Sequence, residues 1–255
     1  MDKKAGALHD DQATLRENPF TRATAEYSRV RPEYPLPVID ELCADIPGVA
    51  VDLGAGSGKM TVALAQRGWH VHAIEPSEAM RNQCEVPPEC AHLVTLHAST
   101  ASATGLTATS ADLVVAAQSW HWFPADQAAA EAARILRPNG RLAIVFNQMN
   151  VEIPWVHRLT RIMRSGDVHR RDRPPQVGEC FTQPELHTVD WEQELTCEEV
   201  MELGRTRSSW LRQNQEGRAR MQENLRWYLY EHLGYSTGQK IHIPYTTLLW
   251  VSRLK

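Results

Sequence analysis

Between Val49 and Gln148 short β-branched runs alternate with helical stretches, and this alternation constrains the fold more than any other feature. The runs are apolar on both faces, which suits strands of a parallel sheet covered by crossover helices on each side. GVAVDLG reads as a first strand, TVALAQRG as its helix and HVHAIE as a second strand. PSEAMRNQC then reads as a helix, HLVTLHA and ADLVVAAQ as strands three and four, PADQAAAEAARIL as a helix and GRLAIVFNQ as strand five.

The pattern changes after Asn150. WVHRLTRIMR (155–164) has the spacing of an amphipathic helix, with Trp155, Leu159, Ile162 and Met163 on one face and Arg158, Arg161 and Arg164 on the other. LHTVDWEQELT reads as a sixth strand and KIHIPYTTLLWVSRLK as a long last one, which suits a seven-stranded sheet with an antiparallel edge. Helices at 155–173 and 198–232 would cap the strand ends. The expected division is a flexible 1–20, a ligand-binding core over 21–150, cap segments at 151–180 and 198–240, and sheet-completing strands at 181–197 and 241–255.

The net charge of -4 gives no overall basic footprint for a duplex or an anionic membrane. The N-terminal stretch lacks a signal peptide's apolar region, and nowhere do about 18 apolar residues run together. The five cysteines include no CxxC pair, so neither a disulfide framework nor a metal site is expected, and the expected location is cytoplasmic.

The loop Val51-Asp52-Leu53-Gly54-Ala55-Gly56-Ser57-Gly58 falls where strand one turns into its helix, the ligand-binding point of an open parallel sheet. A dinucleotide GxGxxG fails, because its last glycine falls on Lys59 or Thr61. A P-loop fails at Leu53 and Met60. What is left is the GxGxG loop of enzymes that bind S-adenosylmethionine (SAM), whose ligand has no phosphate and needs room more than a row of N–H groups. Glu75, 23 residues beyond Asp52, ends strand two where a carboxylate accepts hydrogen bonds from both ribose hydroxyls. Glu75 also suits the N-terminus of the PSEAM helix as a favourable charge.

With these residues in place, the chain resembles the class I SAM-dependent methyltransferases, whose fold is Rossmann-like α/β: a seven-stranded, mostly parallel sheet with helices on both faces, here with a helical cap. It is similar to a small-molecule branch with Y-x-x-x-R-P-x-Y-P and Q-[AS]-x-H-W motifs, matched by Tyr27 to Pro35 and by Gln118-Ser119-Trp120-His121-Trp122. The resemblance implies that Asp52, Gly54, Gly56 and Gly58 line the methionine end of SAM, that Glu75 holds the ribose, and that Pro76 and Met80 pack near the adenine. It further places Tyr27 and Arg31 over the cofactor and Gln118 beside its amino acid moiety. The loop after strand three departs from the branch's G-x-A-E, since Ser102 stands where the acid is expected; backbone of Thr100 and Ala101 would still reach the adenine.

The expected reaction is methyl transfer to a small-molecule acceptor, leaving S-adenosylhomocysteine. His121 is the candidate general base, because imidazole titrates near neutrality. Trp120 and Trp122 are candidates for the acceptor's wall, and Arg158 for an acceptor contact. Base methylation is not expected: Gln118-Ser119-Trp120 replaces [DNS]-P-P-[YF], and no cysteine lies between Cys90 and Cys180. An RNA or protein methyltransferase and a non-catalytic SAM-binding protein are the alternatives; the acceptor and oligomeric state are not legible.

Overall fold

The computed structural model describes residues 29–165 and 169–255. Seven strands form one sheet in the order β3-β2-β1-β4-β5-β7-β6. They are β1 (Val49–Leu53), β2 (His70–Ile74), β3 (Val94–His97), β4 (Ala111–Ala117), β5 (Leu136–Met149), β6 (Glu185–Thr196) and β7 (Lys240–Arg253). The first five pair in parallel, and β7 runs antiparallel between β5 and β6. The chain winds outward from β1 to β3, then returns to place β4 on the other side of β1. Strand order therefore reverses beside β1, which opens a crevice at the carboxyl ends of β1 and β4.

Strand alternation divides the core between the two faces. Val51, Leu53, Val114 and Ile144 face α4 (Ala125–Ile135), where Ala128, Ala132 and Ile135 allow close approach. Ala50, Leu113, Val115 and Val145 face α1 (Leu36–Leu42) and α2 (Lys59–Ala65), meeting Leu42, Met60 and Leu64. Each such leucine buried from water contributes about 1.5–3 kcal/mol before chain entropy is charged against it.

A third core lies under the cap. Val156, Leu159 and Met163 of α5 (Pro154–Met163), Val200 and Leu203 of α6 (Cys197–Arg205), and Met221 and Leu225 of α8 (Gln215–Arg226) pack on Ile241, Ile243 and Tyr245 of β7. The single-turn α7 (Ser208–Leu211) lies between α6 and α8, and a π-helical turn at Trp227–His232 follows them. No described helix is long and apolar enough to cross a membrane.

Two departures from the sequence reading have local causes. The first cap helix stops at Met163 instead of reaching 173, because Arg164 adopts a left-handed conformation with φ 49°. Strand β5 starts at Leu136, four residues before the expected Gly140, then bulges: Ala111 pairs with Leu136, but Leu113 pairs with Arg141. Asn139, at φ 67°, makes that bulge possible, as a residue tolerant of the left-handed region should.

Candidate active site

A cleft of about 960 Å³, open to solvent, lies at the reversal point and is lined by the loop after β1, the end of β2 and the segment after β4. The loop is held by Gly54 and Ala55, whose N–H groups donate to the Ile74 carbonyl at 2.8 and 3.1 Å.

The three glycines have different reasons for being glycine. A Cβ on Gly54 would stand 2.7 Å from Ser119 Cβ, so the loop after β1 and the loop after β4 touch there. Gly56, at φ +58°, faces the cleft, and a Cβ would come 3.3 Å from Met80 Cε. Gly58, expected beside the ligand, does not line the cleft: its Cβ would lie 2.2 Å from Cys84 Sγ, on the side facing α3 (Glu78–Arg81). Packing explains it instead.

Asp52, next to the last residue of β1, is almost fully buried and lines the cleft. Thr61 Oγ1 donates to its Oδ2 at 2.7 Å, and Oδ1 has no protein partner. Burial pushes the carboxyl up to about 7, opposed by the Thr61 hydrogen bond and reinforced by the charge of Glu75. Glu75 accepts the Gly56 N–H on Oε2 at 3.0 Å and the Ser77 N–H on Oε1 at 2.8 Å. The second contact is at the N-cap of α3, so Glu75 also serves that helix. Burial raises its pKa against these two bonds and the charge of Arg81. Each oxygen keeps a second lone pair for a further donor. Pro76 and Met80 complete this end of the cleft.

Arg31 lines the cleft and donates Nη2 to the Thr206 carbonyl at 2.6 Å, joining the N-terminal segment to the cap. Gln118 lines it too, in a left-handed conformation (φ 59°), with Nε2 donating to the Asn147 carbonyl at 2.6 Å. Tyr27 lies outside the described residues.

Other expected contacts are not at the cleft. Trp120 is buried in the α4-side core and donates its indole N–H to the Gln176 carbonyl at 3.2 Å. The short helical turn 120–122 sends it inward, whereas Trp122 forms part of the cleft wall. His121 projects between them, its ring 5.0 Å from Trp122, 6.1 Å from Phe146 and 5.6 Å from His169, and does not line the cleft. Thr100 and Ala101 fall in a tight turn after edge strand β3, bridged from Thr100 to Ala103; Thr100 is exposed and Ala101 joins the apolar core. Arg158 sits on the outer face of α5, over the rings of Trp227 and Tyr228 at 5.4 and 5.3 Å. Helical periodicity puts it there, since Val156, Leu159 and Met163 take the inner face.

The sequence reading missed Asn147. Its Nδ2 donates to the Glu33 carbonyl at 3.0 Å and its Oδ1 accepts from Thr247 Oγ1 at 2.7 Å, so one amide fixes the segment after Arg31 to β5 and β7. A polar residue ending an apolar strand (IVFNQ) was the available signal. Ser119 was missed likewise; its Oγ donates to the Leu53 carbonyl at 2.6 Å and joins the two loops.

Comparison with known proteins agrees with this architecture. The methyltransferase domain family matches residues 51–144, from β1 into β5. An uncharacterized methyltransferase of Mycobacterium tuberculosis is 34% identical over 232 residues, covering 90% of this chain and 93% of that protein. An uncharacterized methyltransferase-like protein of Schizosaccharomyces pombe is 32% identical over 163 residues, 62% of each chain. A solved candidate type II methyltransferase from Anaeromyxobacter dehalogenans superposes with a TM-score of 0.65 at 25% identity, covering 88% of this chain and 97% of that one. The strand order, the glycine loop at its reversal point and these near full-length similarities lead to one conclusion: the chain belongs to the class I SAM-dependent methyltransferases.

Proposed function

We propose that the protein transfers the methyl group of SAM to a small-molecule acceptor at this cleft. The observation that carries the reading is the pairing of a buried, half-satisfied Asp52 with the Glu75 carboxylate across a glycine loop. Asp52 Oδ1 suits the ammonium of an amino acid, which would supply the missing donor and hold the carboxyl ionised. Glu75 has lone pairs for two ribose hydroxyls, and the side chains of Pro76 and Met80 suit an adenine face. Gly56 leaves the space that a side chain would fill.

SAM supplies an electrophilic methyl on a sulfonium. The chain's part is to align the acceptor and exclude water, and fixing two reactants in line is worth several kcal/mol in comparable intramolecular systems. Trp122 and Phe123 provide an apolar wall for that purpose. His121 stays a base only for acceptors that reach past Trp122 to its ring.

Calorimetry with SAM and S-adenosylhomocysteine tests the reading. Glu75→Ala should lose about ten- to a hundredfold in affinity, since charged hydrogen bonds are worth ~1.5–3 kcal/mol. Gly56→Val should abolish binding while the protein stays folded. Wild-type affinity in folded Gly56→Val would sink the assignment.

A further inference from the structure

Trp122 lines the cleft, and the guanidinium of Arg212 lies 5.5 Å from the centre of its ring. We propose that the methyl acceptor carries a carboxylate or phosphate, held by Arg212 at the Trp122 side of the cleft; this rests on the reading of the cleft as the SAM site.

Two other arginines that touch the cap are committed to the protein. Arg29 pairs with Glu199 and Glu202, and Arg218 donates to the carbonyls of Trp210 and Leu211 at 3.1 and 3.0 Å. Arg212 has neither an ion pair nor a side-chain hydrogen bond among the described residues. Stacking on an indole uses the face of a guanidinium and leaves its in-plane N–H donors for a planar anion. An exposed arginine alone would mean little; this one stacks on a side chain of the cleft wall.

Its backbone is also held in place. Arg212 caps α7, and Ser209 Oγ ties that turn to the Met163 carbonyl at 2.8 Å, so little ordering is needed when an anion arrives. Charge nearby has the same sign. Arg207, buried at the start of α7, and Arg31, on the cleft wall, both act on Tyr245 as positive charges. A cationic acceptor would meet Arg212 unfavourably.

The test measures S-adenosylhomocysteine formation with three pools of matched carbon skeleton: carboxylic acids, their primary amides, and phosphate monoesters. SAM affinity is measured by calorimetry on the same preparation. Acids or phosphate esters should give at least about tenfold more product than amides, and the better of the two identifies the anion. For that acceptor, Arg212→Ala should raise KM about tenfold with kcat within about threefold, Arg212→Lys should recover part, and the gap should narrow as salt rises. Arg158→Ala should match wild type. Acids and phosphate esters no better than amides, or an unchanged KM in Arg212→Ala, would overturn the proposal while leaving the SAM site intact. Failure to bind SAM would overturn the reading of the cleft itself, and this proposal with it.

Discussion

Thr61 holds one oxygen of Asp52 at 2.7 Å and leaves the other buried without a partner. Burial pushes the carboxyl up from its ordinary 3.8 to about 7 in the folded chain, against the Thr61 bond. Between those values the native state binds more protons than the unfolded one, so stability from this group is present below the lower value and is lost as pH rises through the upper.

Asp52→Asn removes that penalty. Its melting temperature should exceed wild type near pH 8, by a free energy on the order of a few kcal/mol, and the advantage should vanish near pH 4. Affinity for SAM should fall in the same variant. Thermal unfolding at the two pH values, with and without ligand, checks both effects; a stability difference independent of pH would refute the first.

Gly56 and Gly58 should fail differently when substituted. Gly58→Ala places a Cβ 2.2 Å from Cys84 Sγ at φ +83°, so it should lose stability rather than ligand contacts. Pairing it with Cys84→Ala should recover part of the loss, leaving about 1–2 kcal/mol of backbone strain. A double-mutant cycle by denaturant unfolding measures the coupling.

Glu131 anchors the turn before β4. It accepts from Thr104 N at 2.8 Å and from Arg134 Nε at 2.7 Å. The Arg134 bond, with those from Thr104, holds its carboxyl down at about 2 against burial. Its stabilisation is fully present above about 4.5 and is lost as pH falls toward 2. Glu131→Gln should cost about 1–3 kcal/mol at neutral pH, discounted because Arg134 is 42% exposed, and should flatten the acid limb of the stability curve.

Gln148 clamps the chain at His169 from both sides: Nε2 donates to its carbonyl at 3.0 Å, and Oε1 accepts its N–H at 2.8 Å. The clamp sets the His169 ring parallel to Phe146, centroids 3.5 Å apart. Gln148→Ala should speed amide exchange at His169 markedly while leaving the β5 ladder protected. Equal protection in both proteins would show that ring stacking alone suffices.

The sheet was legible because strand pattern and glycine placement are local. Asp52, Glu75, Pro76, Met80 and Gln118 reach the cleft because each lies at or just beyond the carboxyl end of a strand, where topology puts the crevice. Trp120, Thr100, Ala101 and Arg158 lie off the cleft for a different reason. Whether a side chain after a strand turns inward depends on the tilt of a short helical turn or the packing of a distant cap. Arg212 could not be found from spacing at all, since its neighbour Trp122 lies ninety residues earlier in the chain.

Thr196 and Lys240 are directly paired in the β6–β7 ladder, so everything from 197 to 239 leaves the sheet and returns to adjacent points. Such an excursion can be exchanged for one of another length with only a slow logarithmic change in closure entropy. The segment that carries Arg212 is thereby a replaceable cassette on the sheet: grafting a relative's segment between these two residues should transplant its choice of acceptor and leave donor binding as it was.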